Sequence, residues 1–254
     1  MSAFAEVEAE LQLWREHGLT PRFWLRDDDA ARPSAELERL IAAIREFDVP
    51  LLLAVIPMLA DAELAERLRP EPLVTPCVHG YAHQRQNAGP APAIELGGDR
   101  SPDVVLAELS AGRERLRQLF GDRLSGILVP PWNRIAPDVA ARIHERGFTG
   151  LSTNSWHVNG TLLPELNTQI DIVDWANGRQ GHSLEWAAGE LLRRLWQARE
   201  RGGAPLGILT HHLVMDDQAW RILRDLILYL KVKKGFAFEA ADDLLASSVK
   251  RLQD

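Results

Sequence analysis

Three consecutive aspartates, Asp27-Asp28-Asp29, follow the apolar run Phe23-Trp24-Leu25 after a single arginine, Arg26. Carboxylates packed this closely repel one another unless a positive charge sits among them, so the run asks for a cation. Farther along, in "CVHGYAHQ", His79 and His83 stand four apart. At that spacing two imidazoles on one helical turn or compact loop can converge on one metal ion. Three more polar clusters punctuate the chain. "VPPWNR" fixes the backbone through Pro130-Pro131 and presents Trp132, "DIVDW" groups Asp171, Asp174 and Trp175, and "GILTHH" ends in His211 and His212. Each cluster alone reads equally as a solvated turn, a packing tryptophan or a satisfied histidine. Together they supply carboxylates, imidazoles and indoles, which suit metal-assisted hydrolysis.

The elements that would position these groups are short apolar strands alternating with longer helical patterns. Strand candidates cover 22–26, 50–56, 73–78, 126–129, 148–152, 168–173 and 205–210. Several are apolar on both faces, as strands covered by helices must be. Ser34 can cap a helix with the face Leu37, Leu40, Ile41 and Ile44. Ser101-Pro102 opens a helix that Gly121 stops, Pro137 opens one ending at Gly147, Ser183 starts a fourth, and a fifth covers 217–233. Segment 84–100 is rich in Gly and Pro and reads as a loop. Alternation without a long break implies a parallel sheet with right-handed crossovers. Seven such strands fit a barrel better than an open sheet, although pattern alone does not separate the two. Every polar cluster falls just past a strand, where barrels of this kind collect their chemistry.

The 254 residues suffice for a core that needs no staples, and 29 basic against 36 acidic side chains give a net charge of -7. That balance argues against nucleic acid or an anionic membrane surface as the main partner. Cys77 is the one cysteine, so no disulfide framework exists. The first residues mix acidic with apolar side chains, unlike a signal peptide, and read as an amphipathic helix over 1–19 packed on a domain spanning 20–254. No apolar run is long enough to span a bilayer, and the expected location is cytoplasmic.

In this order, the polar clusters resemble the motifs of the polysaccharide deacetylases, the NodB-homology or carbohydrate esterase family 4 domain, over roughly residues 20–240. The resemblance implies a single-domain distorted (β/α)7-type barrel of parallel strands. The family's Thr-Phe-Asp-Asp motif corresponds to "RDDD", which makes Asp28 the catalytic base and Asp29 a metal ligand. A register one residue out would shift these roles to Asp27 and Asp28. The His-Ser/Thr-x-x-His motif corresponds to His79-Gly80-Tyr81-Ala82-His83 and implies that both histidines are ligands. Val129-Pro130-Pro131-Trp132 matches Arg-x-Pro-aromatic, and Asp174-Trp175 matches an Asp-Trp pair that orients the site. His211 is the implied general acid, and His212 fits the same Leu-x-x-His motif literally. Trp132, Trp175 and Tyr81 would face the apolar side of a sugar ring.

The implied reaction removes N-acetyl or O-acetyl groups from a sugar or glycan. A water on a divalent ion would attack, with zinc first and cobalt, nickel or manganese as alternatives. The alternatives are a non-catalytic carbohydrate-binding relative and a hydrolase of another small amide. Two departures stand out. Val129 replaces the arginine that orients the base, leaving Arg26 or Arg134 to supply that charge. Ala30 and Gly80 also differ from the family's residues.

Overall fold

The computed structural model describes residues 4–253, and strand alternates with helix along that span. The strands are β1 (Arg22–Ala30), β2 (Leu51–Val55), β3 (Val74–His79), β4 (Ile127–Val129), β5 (Gly150–Leu151), β6 (Thr168–Asp171), β7 (Val173–Asp174), β8 (Gln180–Gly181), β9 (Leu206–Thr210) and β10 (Ala237–Phe238). The helices are α1 (Ala5–Glu16), α2 (Ala35–Phe47), α3 (Ala62–Leu68), α4 (Pro102–Phe120), α5 (Pro137–Ala140), α6 (Leu184–Arg199), α7 (Asp217–Ile227) and α8 (Ala241–Gln253). No helix among the described residues is long and apolar enough to cross a membrane.

Seven strands pair in the order β5-β4-β3-β2-β1-β9-β6, all parallel, and β10 adds to the start of β1. The sheet curls until its edges meet. There β5 and β6 do not pair directly, and isolated bridges join Leu151 of β5 to Glu165 and Asn154 to Thr168 of β6. The result is the distorted single-domain barrel that the resemblance implied. β7 and β8 form a separate antiparallel hairpin beyond the end of β6.

Alternation along each strand sorts the apolar side chains into two layers. Phe23, Leu25, Leu53, Val78, Ile170 and Ile208 face the helices and join the larger core. Trp24, Leu52, Ala54, Cys77, Ile127 and Val129 fill the barrel interior together with Leu244 and Leu245 of α8. The interior is tightly fitted. A Cβ on Gly207 would lie 2.6 Å from Trp24 Cε2, and one on Gly150 would lie 2.4 Å from Leu245 Cδ2. α8 therefore closes the end of the barrel opposite the polar clusters.

Helix starts follow the sequence signals. Ser34 Oγ accepts the Leu37 amide, and Ser183 Oγ accepts that of Trp186. α1 lies on α6, with the Trp14 indole donating to the Leu195 carbonyl and Glu10 pairing with Arg199 at 2.8 Å. Three expectations need correction. The helix opened by Pro137 is one turn of α5 and a 3-10 turn over Ile143–Arg146 before Gly147. α7 passes into a π-helical stretch, Leu228–Lys233, instead of running on as one α-helix. Most consequentially, β1 does not stop before the aspartates. It carries all three, because Asp27 pairs in register with Leu53 of β2 and Thr210 of β9, with a bulge between Asp27 and Ala30.

Candidate metal centre and active site

The bulge at the end of β1 puts Asp29 at φ 72, a left-handed conformation that a non-glycine residue adopts only under constraint. It aims the carboxylate at the top of the barrel. His79, the last residue of β3, places Nε2 3.0 Å from Asp29 Oδ1, and His83 Nε2 lies 3.1 Å from the same oxygen. Ligand atoms of Asp29, His79 and His83 all fall within 4.8 Å of one another. The Val129 carbonyl, 3.0 Å from His79 Nδ1, accepts that ring's proton and leaves Nε2 facing Asp29. Burial alone would raise the Asp29 pKa, yet hydrogen bonds from both rings outweigh it and hold the carboxyl well below the usual range. Burial likewise disfavours charge on His79, but the Asp29 bond and the charges of Asp28 and Asp29 raise its pKa. Ring nitrogens and carboxylate therefore face one another where a cation would fit. One carboxylate and two imidazoles, one ring fixed by a carbonyl, form a donor set suited to zinc or a similar divalent ion.

Asp28 turns inward, on the same face as Trp24 and Arg26. Arg26 Nη2 donates to Asp28 Oδ2 at 2.9 Å, and Nε lies 2.9 Å from Oδ1 without hydrogen-bond alignment. The guanidinium is fully buried and also donates to Ser152 Oγ at 2.8 Å, to the Ser152 and Thr153 carbonyls at 3.1 and 3.0 Å, and to Asn133 Oδ1 at 2.6 Å. β1 therefore supplies both the carboxylate and the cation that holds it, two residues apart. Val129, at the position of the family's arginine, contributes packing and a carbonyl. Arg134 takes no part, since its guanidinium donates to the Ala93 carbonyl.

Asp27 faces the other way. Its carboxylate accepts the Thr210 hydroxyl at 2.7 Å and the His212 amide at 2.9 Å, and it pairs with His212 Nδ1. Both side chains are wholly buried. Burial opposes a charge on His212, but the Asp27 charge and hydrogen bond raise its pKa.

His211 points its Nε2 into the site, 3.9 Å from Asp28 Oδ2, and its Nδ1 has no partner. The edge of its ring meets the Trp175 ring with centroids 4.7 Å apart. The Trp175 indole donates to Asp171 Oδ2 at 2.9 Å. Burial raises the Asp171 pKa, against the opposing effects of the His211 charge, the Val173 amide and the indole. Asp174, expected to orient the site, does not join this group. Its carboxylate accepts the amides of Ala176 and Asn177, at 3.2 and 3.1 Å, because it caps the turn of the β7–β8 hairpin. Its other neighbour is His182, at 3.7 Å.

Trp132 and Asn133 both adopt left-handed backbone, φ 55 and 56, after the rigid Pro130-Pro131 pair. The turn lays the Trp132 ring on His83, centroids 4.5 Å apart, and delivers Asn133 to Arg26. The half-buried Tyr81 ring lies against α4, where a Cβ on Gly112 would meet its Cδ2 at 3.3 Å. Three participants escape the motif pattern. Asp171 was overshadowed by Asp174, Asn133 looked like part of a turn, and Glu95 lay in the apparent loop. Glu95 is buried and accepts the amides of Tyr81, Ala82 and Gln84.

No protein-family model matches the chain, and no curated protein sequence does. Solved structures do. A protein from Mycobacterium smegmatis assigned as a polysaccharide deacetylase superposes with a TM-score of 0.66 at 18% identity, covering 92% of this chain and 91% of that one. A family 4 acetyl xylan esterase from Clostridium thermocellum, in complex with a cobalt ion, gives 0.55 at 14% identity, with 89% and 90% covered. A pseudoenzyme of the same family from Bacillus anthracis gives 0.56 at 13% identity, covering 89% of this chain and 66% of that one. At such identities the likeness concerns the fold. In a divergent version, the chain carries the NodB-type fold of the polysaccharide deacetylases and family 4 carbohydrate esterases.

Proposed function

We propose that the protein is a divalent-metal-dependent hydrolase that removes acetyl groups from a sugar or glycan, with zinc as the preferred ion. The observation that carries this reading is the convergence of Asp29, His79 and His83 beside a second, inward-facing carboxylate held by Arg26. When bound, a divalent cation supplies Lewis acidity toward an amide or ester carbonyl and acidifies water.

The chain's own groups then divide the work. Asp28 accepts the proton of the attacking water, its orientation fixed by the guanidinium beside it. His211, on the far side of Asp28, delivers a proton to the departing nitrogen or oxygen, and the Trp175 ring, near-perpendicular to it, packs against it. Asp171, in place of Asp174, is the carboxylate that acts on His211. Trp132 against His83 and the half-exposed Trp175 give the apolar face of a pyranose two surfaces to lie on. Acetate and the deacetylated sugar leave.

Titration calorimetry tests the metal reading. Asp29→Ala and His83→Ala should each abolish stoichiometric zinc or cobalt binding, and unchanged binding in both would overturn it. One structural neighbour is a pseudoenzyme, so turnover needs its own measurement. Acetate release from N-acetylated oligosaccharides by the zinc-loaded protein supports a hydrolase, whereas sugar binding without release supports a carbohydrate-binding role.

A further inference from the structure

The loop that carries His83 is an unusual piece of backbone. Gly80 has φ 59 and His83 itself has φ 55, and a non-glycine residue holds that conformation only where its surroundings impose it. No regular helix or strand supplies that constraint between 80 and 84. The Glu95 carboxylate does. Oε2 accepts the Tyr81 amide at 2.9 Å, and Oε1 accepts those of Ala82 and Gln84 at 2.9 and 3.0 Å. The glutamate is only 1% exposed, so these bonds are shielded from water.

Glycine and glutamate are fitted to one another. A Cβ on Gly80 would sit 2.2 Å from Glu95 Oε2 and 2.5 Å from Pro131 Cδ, closer than any side chain tolerates without displacing the loop. Glu95 is anchored in turn. Leu96 bridges to Ile135, with the Ala136 amide donating to the Leu96 carbonyl at 2.8 Å. Arg100 donates to the Glu95 carbonyl at 2.7 Å and pairs with Glu108 of α4 at 2.6 Å.

We infer that Glu95 is the positioning residue of the metal centre: it sets the backbone of 80–84 so that His83 meets His79 and Asp29. Segment 84–100 is then a strut of the site and not a lid over it. The inference rests on the metal reading given above.

Three variants test it. Glu95→Ala removes the acceptor. Glu95→Gln keeps the shape but turns an NH2 group toward at least one amide donor. Gly80→Ala disturbs the loop with the glutamate intact. Each should weaken zinc binding by about 10–100-fold and change the visible ligand-field spectrum of the cobalt-loaded protein. Glu95→Gln should also speed amide exchange at Tyr81, Ala82 and Gln84, while cooperative unfolding persists. Wild-type affinity and an unchanged cobalt spectrum in Glu95→Gln and Gly80→Ala would overturn the inference. Should the unaltered protein bind no metal, the metal reading fails instead, and the exchange rates still decide whether Glu95 holds the loop.

Discussion

Asp27 and Asp28 are neighbours in the chain and opposites in the fold. The pleat of β1 sends Asp27 toward the helices, where it is sealed against His212 and Thr210. It sends Asp28 into the barrel mouth, between Arg26 and His211. Both carboxylates are buried and both have a basic partner. One pair is closed on itself, while the other stands 3.9 Å from His211 Nε2, too far for a direct hydrogen bond, and adjoins Asp29 of the ligand group. What separates the two carboxylates is therefore the company each keeps.

Substitutions can break that contrast. Asp28→Asn should retain zinc affinity while turnover falls by about 10²–10⁴-fold, and full activity would move the base elsewhere. Asp27→Ala should instead spare the metal ligands and cost stability, because it strands the buried His212. A loss of about 3–5 kcal/mol in urea denaturation is expected, and an unchanged midpoint would deny the pair its structural role. Arg26→Leu should impair both properties, and Arg26→Leu/Val129→Arg should recover part of the turnover by returning a guanidinium from β4. No recovery would mean that the charge must come from β1 itself.

Acidity sharpens the comparison further. The folded pKa of His212 lies above its unfolded value of about 6.5. Its contribution to stability is then complete below that pH and is lost as pH rises through the folded value. Urea midpoints of the metal-free protein should decline on the alkaline side, and His212→Gln should flatten the decline. A wild-type curve already flat between about pH 6.5 and 9 would rule out this linkage. The smallest effect belongs to Trp175→Phe, which keeps an aromatic edge on His211 and drops the bond to Asp171. Turnover should fall by no more than about tenfold, and a larger loss would make the indole N–H essential.

Much of this was legible in the residues. Strand count favoured a barrel without deciding it, and types and spacing at strand ends brought both histidines together with the aspartate run. The distorted seven-stranded barrel and the choice of Asp29 came from the family resemblance. Arg26 was partly legible: Trp24, Arg26 and Asp28 share one face by the period of a strand, but the acidic run disguised the strand's length. The Asp-Trp pairing favoured Asp174 over Asp171, and only the hairpin turn, which leaves no mark in the motif, commits Asp174 elsewhere. Glu95 left no local signal, because its three donors come from a distant loop. The left-handed turn at Trp132 and Asn133 was equally hidden, as neither residue type demands it.

The β7–β8 hairpin has a consequence for how such a protein can change over generations. The groups proposed for bond breaking sit on β1 and β3 or in the residues that follow β3 and β9, strands locked into the main sheet. Trp175 hangs on a two-rung ribbon outside it. Insertions or deletions in that ribbon would move the ring that rests on His211 and the indole bound to Asp171 without disturbing the pairing of the main sheet. The proposed acid is thus tuned from a piece of backbone that can vary while the barrel stays the same.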